Sequence, residues 1–544
     1  MNRFIAKTRS FIFAQQSGIV STTLLISGML MLARVFGLVR YRVFNSFFSK
    51  EELEIFFAAF RIPDFLFELL ITGALTTSFI PFFLKYHNDQ KKQNAIISSV
   101  INLICIALAV LIGVLFICMP LVVRFTVLGF DEASLEKVVY LSRILLIAQL
   151  PFLVLGNIAT GLSQAYKRFI IPSFAPVMYN IGIIVVTVLL APTYHMNGVA
   201  IGVIAGAILF FFVQIPQILQ LSFQYEPIIT HLKEIKGFLK TITPRLFTVL
   251  VAQIEVTIDQ TLSTLVSTGS YTIFYYAQTL QLVPVSIIGM AFGQASLPYL
   301  SEIYQKKQFV ELKKIVIDSI CNVLFVTAPI MAFFIIARTP IVRLVYGGHK
   351  FDWSGTVSTA ETMSYFAFSI PLHSCYYFIT RCFYATLDTK TPFVVSIGSI
   401  IFNVVMSFFA VSVFRLPVWS LGITFSIAIT VQVTILLILF HRKVGGLELF
   451  SLLKEVIKII MAAILAVAVM YPSQRLLDGL IFDTTRTINL VFLLITTGGI
   501  LLITYLFACW TLNAKGLYFI IHAMRNIRRS KSRVVDSFIS VDMQ

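Results

Sequence analysis

The chain has 544 residues, of which 58% are hydrophobic and 12% charged, with a formal net charge of +17. Ordinary soluble domains carry about twice that charged fraction, and apolar runs long enough to span a bilayer recur from end to end. A soluble enzyme or binding domain is therefore excluded, and an all-α polytopic membrane protein remains.

In chain order, Arg3, Lys7 and Arg9 precede the first apolar run with no small-residue cleavage site after it, which reads as an uncleaved first helix. Apolar segments predict fourteen transmembrane helices, at 17–40, 53–84, 95–123, 138–163, 171–192, 197–222, 241–268, 271–300, 314–337, 357–387, 392–413, 417–440, 452–471 and 487–511. Alternate connections hold the lysine and arginine excess expected of cytoplasmic loops: Lys85, Lys91 and Lys92; Lys167 and Arg168; Lys233, Lys236 and Lys240; Lys306, Lys307, Lys313 and Lys314; Lys390; and Arg442, Lys443 and Lys454. The intervening loops are neutral or mixed. Both termini are then expected in the cytoplasm, in agreement with the basic tail of Arg525, Arg528, Arg529, Lys531 and Arg533.

The positive charge fits insertion topology and anionic inner-leaflet lipid, and with no RNA or DNA motif present no nucleic-acid partner is expected. Cys105, Cys118, Cys321, Cys375, Cys382 and Cys509 all lie in apolar segments without a CxxC pair, and the seven histidines have no metal-ligand spacing. No Ser/His/Asp set, DxxD pair or metal box stands at a membrane interface, so an enzyme is not expected.

The sequence also repeats. TTSFIPFF at 76–83 resembles GQASLPYL at 293–300, aligning Pro81 with Pro298, and SQAYKRFIIP at 163–172 echoes FYATLDTKTP at 383–392, aligning Pro172 with Pro392. The two offsets nearly agree. They imply two six-helix lobes in parallel pseudo-twofold repeat. The expected organisation is an N-lobe over 1–222, a basic connector over 223–240, a C-lobe over 241–440, two further helices over 441–511 and a basic tail over 512–544. Such a frame suits a rocking transporter with its substrate between the lobes, although fold analogy alone does not fix function.

Charged side chains inside the apolar segments are the functional candidates, since they persist there only facing water, a partner or a ligand. Arg34 and Arg40 stand about 9 Å apart along an ideal helix and about 120° apart around it, and Gly37 between them offers a bend toward one cavity. The second helix carries Glu54, Arg61, Asp64 and Glu68, with Pro63 placed to kink it. Guanidinium groups in such a cavity bind phosphate oxygens in pairs of hydrogen bonds. The alternative is a set of intramembrane ion pairs, Arg61 with Asp64 or Glu68. The seventh helix carries Glu255 and Asp259 on one face, suited either to coupling transport to protons or sodium or to neutralising arginines.

ARVFGLVR, FFAAFRIPDFLFELLITGALTTSFIPFF, RFIIPSFAPVMYN (168–180), FYYAQTLQLVP (274–284) and DTKTP (388–392) together resemble the MurJ (MviN) family of lipid II flippases, within the multidrug/oligosaccharidyl-lipid/polysaccharide exporter superfamily. The resemblance runs from about residue 17 to beyond 440. It implies a central cationic cavity, and an apolar lipid-tail groove made by the last two helices. The implied activity is alternating-access transfer of undecaprenyl-diphosphate-MurNAc-pentapeptide-GlcNAc between the leaflets of the bacterial cytoplasmic membrane. It implies a monomer bound to this lipid and to membrane lipid, associated with cell-wall synthesis proteins. By it, Arg34 and Arg40 face the diphosphate, Glu54 gates the periplasmic side, and Asp64 lines the second helix.

The chain departs from the family at Phe67 and Thr72, where an arginine and an acid are common, and at Gln278 and Thr279, where the family has an Asp-Arg pair. Glu68 stands one turn from Thr72, and Arg61 and Arg381 are candidate substitutes for the missing cations. The resemblance further implies a sodium site, with Asp259 and Asn403 as ligands, Ser407 in place of an acid and Thr424 completing the shell. Two other readings share these features. A flippase for another polyprenyl-diphosphate oligosaccharide shares the arginines, and a cation-coupled multidrug-type exporter shares the two-lobe fold.

Overall fold

A computed structural model describes residues 19–71, 89–221 and 223–517, and within them the chain is helical with no strand. Arg3, Lys7, Arg9, Thr72, the 76–83 repeat with Pro81, Lys85 and the tail arginines and lysine from Arg525 onward lie outside the described residues. The helices are α1 (Ile19–Phe47), α2 (Lys50–Leu70), α3 (Gln90–Thr126), α4 (Glu132–Ala148), α5 (Leu150–Ala165), α6 (Ile170–Tyr194), α7 (Met196–Phe212), α8 (Leu232–Thr264) and α9 (Ser270–Pro284). A π-turn, Val285–Met290, leads to α10 (Ala291–Gln305), α11 (Phe309–Ile336), α12 (Arg338–Tyr346), α13 (Trp353–Ala367), α14 (Ser369–Ala385), α15 (Lys390–Phe408), α16 (Trp419–Lys443), α17 (Leu449–Leu480) and α18 (Thr487–Thr511).

Nine helical spans among the described residues are long and apolar enough to cross a membrane. α1, α2, α8, α13 with α14, and α17 fall on five further predicted segments, of which the second, 53–84, is described only as far as residue 71. The short α12 has no counterpart in the sequence reading. This is a multi-span, all-α membrane protein.

The helices form two compact units. The first contains the residues up to Ile273 together with Val345–Thr356, and the second contains Phe274–Leu344 and the residues from Val357 onward. In the first, α1 packs on α6, α2 on α4, and α6 on α7. There α7 turns Gly198, Gly202 and Gly206 toward α6, so closely that a Cβ on Gly206 would lie 2.5 Å from the Tyr179 carbonyl oxygen. The seventh predicted segment, α8, packs on α2 and α3 within this unit. Its approach is tied down, because Ser98 and Ser99 of α3 accept the Glu226 and Thr230 amides at 3.0 and 2.8 Å. In the second unit α10, α11 and α16 pack on α14, with α17 on α11 and α18, around a core that includes Leu300, Ile320, Phe378, Phe383 and Leu436.

Prolines shape these contacts. A proline at position i leaves the carbonyl at i−4 without its amide donor, and in a bilayer no water replaces it. Pro63 thus exposes the Ala59 carbonyl, which accepts from Ser142 Oγ at 3.0 Å. Pro120 exposes that of Phe116, which accepts from Arg143 Nε at 3.0 Å, and Pro329 exposes that of Phe325, which accepts from Tyr505 Oη at 2.9 Å. Three proline-vacated carbonyls are each filled by a side chain from another helix. Ser142 and Arg143 are adjacent, so α4 docks on α2 and α3 at their two proline sites.

The internal repeat has a structural counterpart in the loops. Lys167 and Leu387, at the 220-residue offset, take left-handed φ values of 58° and 59° just after α5 and α14. Each is followed by an amide, of Arg168 or Asp388, that reaches back five residues to the Ser163 or Phe383 carbonyl, which is the Schellman pattern. Asp388 then caps α15 through the Thr391 amide at 3.0 Å and binds Lys443 Nζ at 2.7 Å.

Two stability outcomes are expected, both read as thermal unfolding of the full chain in detergent. Leu387→Gly, at a fully solvent-facing side chain, relieves the left-handed strain and stabilises by roughly 0.5–1 kcal/mol. Tyr505→Phe keeps the ring but leaves Phe325's carbonyl bare, destabilising by about 1 kcal/mol.

Candidate functional site

In the first unit, α1 runs unbroken through Gly37, so the predicted bend is not a break in the helix. A Cβ on Gly37 would meet Asn180 Oδ1 of α6 at 3.9 Å, and Asn180 Nδ2 donates to the Ala33 carbonyl at 3.3 Å. Asn180 ends the RFIIPSFAPVMYN motif, and this contact fixes α1 beside the two arginines. Arg34 is exposed and Arg40 half-buried, the Arg40 guanidinium lying 4.8 Å above the Tyr41 ring.

Pro63 lies in the buried stripe of α2 with Arg61. The Arg61 guanidinium is held on several sides: Nη2 donates to Gln253 O at 2.7 Å, Gln253 Oε1 at 2.8 Å and Thr257 Oγ1 at 2.9 Å, and Nε to Thr257 Oγ1 at 3.1 Å. Nη1 lies 3.5 Å from Asp64 Oδ2. The predicted ion pair is therefore present, and α8 supplies most of the remaining contacts. The Asp64 carboxylate also feels the charges of Arg40 and Glu68, so the structure brings Arg40, Arg61, Asp64 and Glu68 into one electrostatic cluster. Arg34 stands six residues before Arg40 on α1. On α8, Asp259 is buried and Glu255 half-buried on the same face, and Glu255 makes no ion pair among the described residues.

At the other end of α2, Glu54 is buried and its Oε2 accepts from the Gly269 amide at 2.7 Å. Around it lies a set of contacts that the sequence did not single out. Lys50 Nζ binds Asp352 Oδ1 and Oδ2 at 3.0 Å and Ser354 Oγ at 2.7 Å, while its carbonyl accepts from Thr272 Oγ1 at 2.7 Å. Asn45 Nδ2 donates to Tyr346 O at 2.8 Å, and Asn45 O accepts from Lys350 N at 3.0 Å. Gly348 sits where a Cβ would come within 2.3 Å of the Asn45 carbonyl oxygen. These partners are more than two hundred residues apart in sequence, and no local pattern announces such a pairing.

In the second unit Gln278 is buried, and Thr279 returns its hydroxyl to its own helix at Tyr275 O, 2.7 Å away. Arg381 lies over the Tyr384 ring at 5.4 Å. One turn beyond Gln278, Gln281 Nε2 donates to Ser369 Oγ at 2.8 Å and lies 3.1 Å from His373 Nδ1. The His373 ring stacks on Tyr377. Asn403, Ser407 and Thr424 are brought together and buried: Ser407 Oγ is 2.7 Å from Thr424 Oγ1 and 3.5 Å from Asn403 Oδ1. The three side chains thus bring neutral oxygens together at one buried point. Asp259 belongs to the first unit. No group of three or more His, Cys, Asp or Glu side chains fit to hold a metal occurs among the described residues.

Residues 43–509 match the family model of "Lipid II flippase MurJ". The chain belongs to the MurJ family. Among curated MurJ-family relatives, it is 30% identical to a probable lipid II flippase of Rickettsia prowazekii over 401 residues, covering 71% of this chain and 78% of that one. It is 27% identical to one of Borreliella burgdorferi over 501 residues, covering 90% and 96%. Its fold is similar to a solved MurJ structure described as the inward closed conformation, with a TM-score of 0.73, 23% identity and coverage of 90% of this chain and 99% of that one. It is also similar to an inward-facing multidrug transporter of the MATE family, with a TM-score of 0.66, 13% identity and coverage of 78% and 98%. The MurJ family is a transporter family and not a catalytic one.

The Lys50–Asp352 contact generates a pH prediction. Partial burial raises the Asp352 carboxyl, but hydrogen bonds from Ser354, Lys50 and Gly355 outweigh that and hold it below its ordinary value. A depressed carboxylate stabilises the fold above its unfolded pKa of about 3.9 and loses that contribution as pH falls through the lower folded value. Thermal stability of the wild type should therefore decline below about pH 4 by up to about 1 kcal/mol more than that of Asp352→Asn. Parallel pH profiles of the two proteins would assign the contact no such role.

Proposed function

We propose that this chain carries lipid II, the undecaprenyl-diphosphate-linked peptidoglycan precursor, from the cytoplasmic to the outer leaflet of the bacterial cytoplasmic membrane by alternating access, without catalysing a reaction. Membership of the MurJ family supports this reading, and the observation that carries it is the placement of Arg34 and Arg40 on one membrane helix. A diphosphate needs cations inside the membrane, and guanidinium groups answer its paired oxygens. Arg34 and Arg40 are the diphosphate ligands. Arg61 is committed to α8 and Asp64, so it orients α2, with Glu68 balancing the cluster. In the second unit Gln278 and Thr279 are the neutral hydrogen-bonding groups offered to the substrate, and Glu54, accepting the Gly269 amide, is the gate on the periplasmic side. With cations missing at Phe67 and Thr279, the first-helix pair bears more of the phosphate binding than in a typical relative.

The two sequence halves act as rocking lobes, and the helices of 441–511 receive the polyprenyl tail. Both termini lie in the cytoplasm, and the protein acts as a monomer alongside cell-wall synthesis proteins. A cation drives the cycle, and its candidate oxygen donors are Asp259, with Glu255 one turn away, in the first unit and Asn403, Ser407 and Thr424 in the second. Sodium suits these oxygen donors, and a proton on Asp259 is the alternative coupling ion.

The chain is expected to sustain growth of a bacterium depleted of its own lipid II flippase, and Arg34→Ala or Arg40→Ala to abolish that rescue with the protein still present in the membrane. Absence of rescue by the intact protein, together with export of a different lipid-linked sugar, would instead identify a flippase for another polyprenyl-diphosphate oligosaccharide. For coupling, Asp259→Ala should remove any dependence of transport on sodium or membrane potential. Retained dependence would reduce Asp259 to packing.

A further inference from the structure

Between α3 and α4 lies a groove of about 590 Å³ whose lining includes Leu121, Arg124, Glu132, Glu136, Tyr140 and Arg143. It sits at the ends of these helices joined by residues 127–131, opposite the end of α3 that bears Lys91 and Lys92. On α4, Glu132, Glu136, Tyr140 and Arg143 follow one another at helical spacing and form one stripe. The flank around them is apolar and uncovered: Ile117, Leu121 and Phe125 on α3 and Ile147 on α4 are all exposed. In a membrane-spanning chain such a flank faces lipid.

Four charges in a lipid-facing groove require an explanation. Arg124 Nη2 and Glu132 Oε1 answer one another at 2.9 Å. Arg143 and Glu136 make no ion pair among the described residues. Arg143 is nevertheless fixed, since its Nε donates to the Phe116 carbonyl freed by Pro120 and its guanidinium lies 4.8 Å over the Phe116 ring. That anchoring engages the Nε edge and leaves the two amino groups to recognise an anion. Glu136 stands seven residues earlier on the same stripe, about 10 Å along the axis toward the helix end.

We propose that this groove binds one zwitterionic aminophospholipid, with its phosphate on Arg143 and its primary ammonium on Glu136. The charge pattern selects the class. Two cations and two anions give no net field for an anionic lipid, and the carboxylate stripe repels one. A phosphoethanolamine headgroup carries one charge of each sign close together and neutralises both unmatched side chains at once. Its acyl chains extend over Ile117 and Leu121. The site needs only membrane insertion, so it stands or falls apart from the substrate assigned above.

Native mass spectrometry of the full chain in detergent, titrated with phosphatidylethanolamine, phosphatidylcholine and phosphatidylglycerol of matched acyl chains, tests this. Phosphatidylethanolamine is expected to bind about tenfold more tightly than phosphatidylglycerol, and Glu136→Gln to erase that preference. Arg143→Ala also strips the Phe116 carbonyl of its donor, so Glu136→Gln, at an exposed side chain, is the deciding variant. Equal binding of the three lipids by the wild type, a preference for phosphatidylglycerol, or an unchanged preference in Glu136→Gln would each overturn the proposal.

Discussion

The structure depends on one constraint: inside a bilayer every backbone carbonyl must find a donor within the protein. The helices meet it along most of their length, and the prolines break it at defined points. Ala59, Phe116 and Phe325 are left open by Pro63, Pro120 and Pro329, and Ser142, Arg143 and Tyr505 close them. Each closure fixes the register of one helix on another. The docking of α4 follows from two such contacts at neighbouring residues, and α4 in turn supports α2, the helix that carries Glu54, Arg61, Asp64 and Glu68.

The same rule governs the charged residues, where the penalty for isolation is larger. Arg61 spends its hydrogen bonds on Gln253 and Thr257 and its charge on Asp64. An arginine so engaged makes a rigid wall. Arg40, Arg61, Asp64 and Glu68 together make a cluster of two positive and two negative side chains.

Much of the fold was legible because membrane helices announce themselves by length and apolarity. Nine of the predicted segments appear as spans among the described residues, and the 220-residue repeat reappears as matched left-handed turns at Lys167 and Leu387. An ion pair of Arg61 with Asp64 or Glu68 was among the alternatives the sequence offered, and Asp64 is the partner observed. What stayed hidden was tertiary. Lys50 and Asp352 meet across the sequence, the α8 acceptors of Arg61 are neutral residues, and α12 is too short and polar to signal a span. Pro63 marked a lost backbone bond in the second helix, but nothing local marked Ser142 as the donor to the Ala59 carbonyl. Asn403, Ser407 and Thr424 lie together in the second unit, and Gln281, although inside FYYAQTLQLVP, gave no sign of its partners Ser369 and His373.

The central claim is that the first-helix arginines make this chain a carrier for a diphosphate-linked lipid. The most direct measurement is leaflet-to-leaflet movement of fluorescent lipid II in vesicles containing the purified chain, with a polyprenyl-monophosphate sugar of equal tail length as competitor. The account predicts movement of lipid II that the monophosphate competes for weakly. Equal movement of both lipids, or none of lipid II by a folded protein, would contradict it.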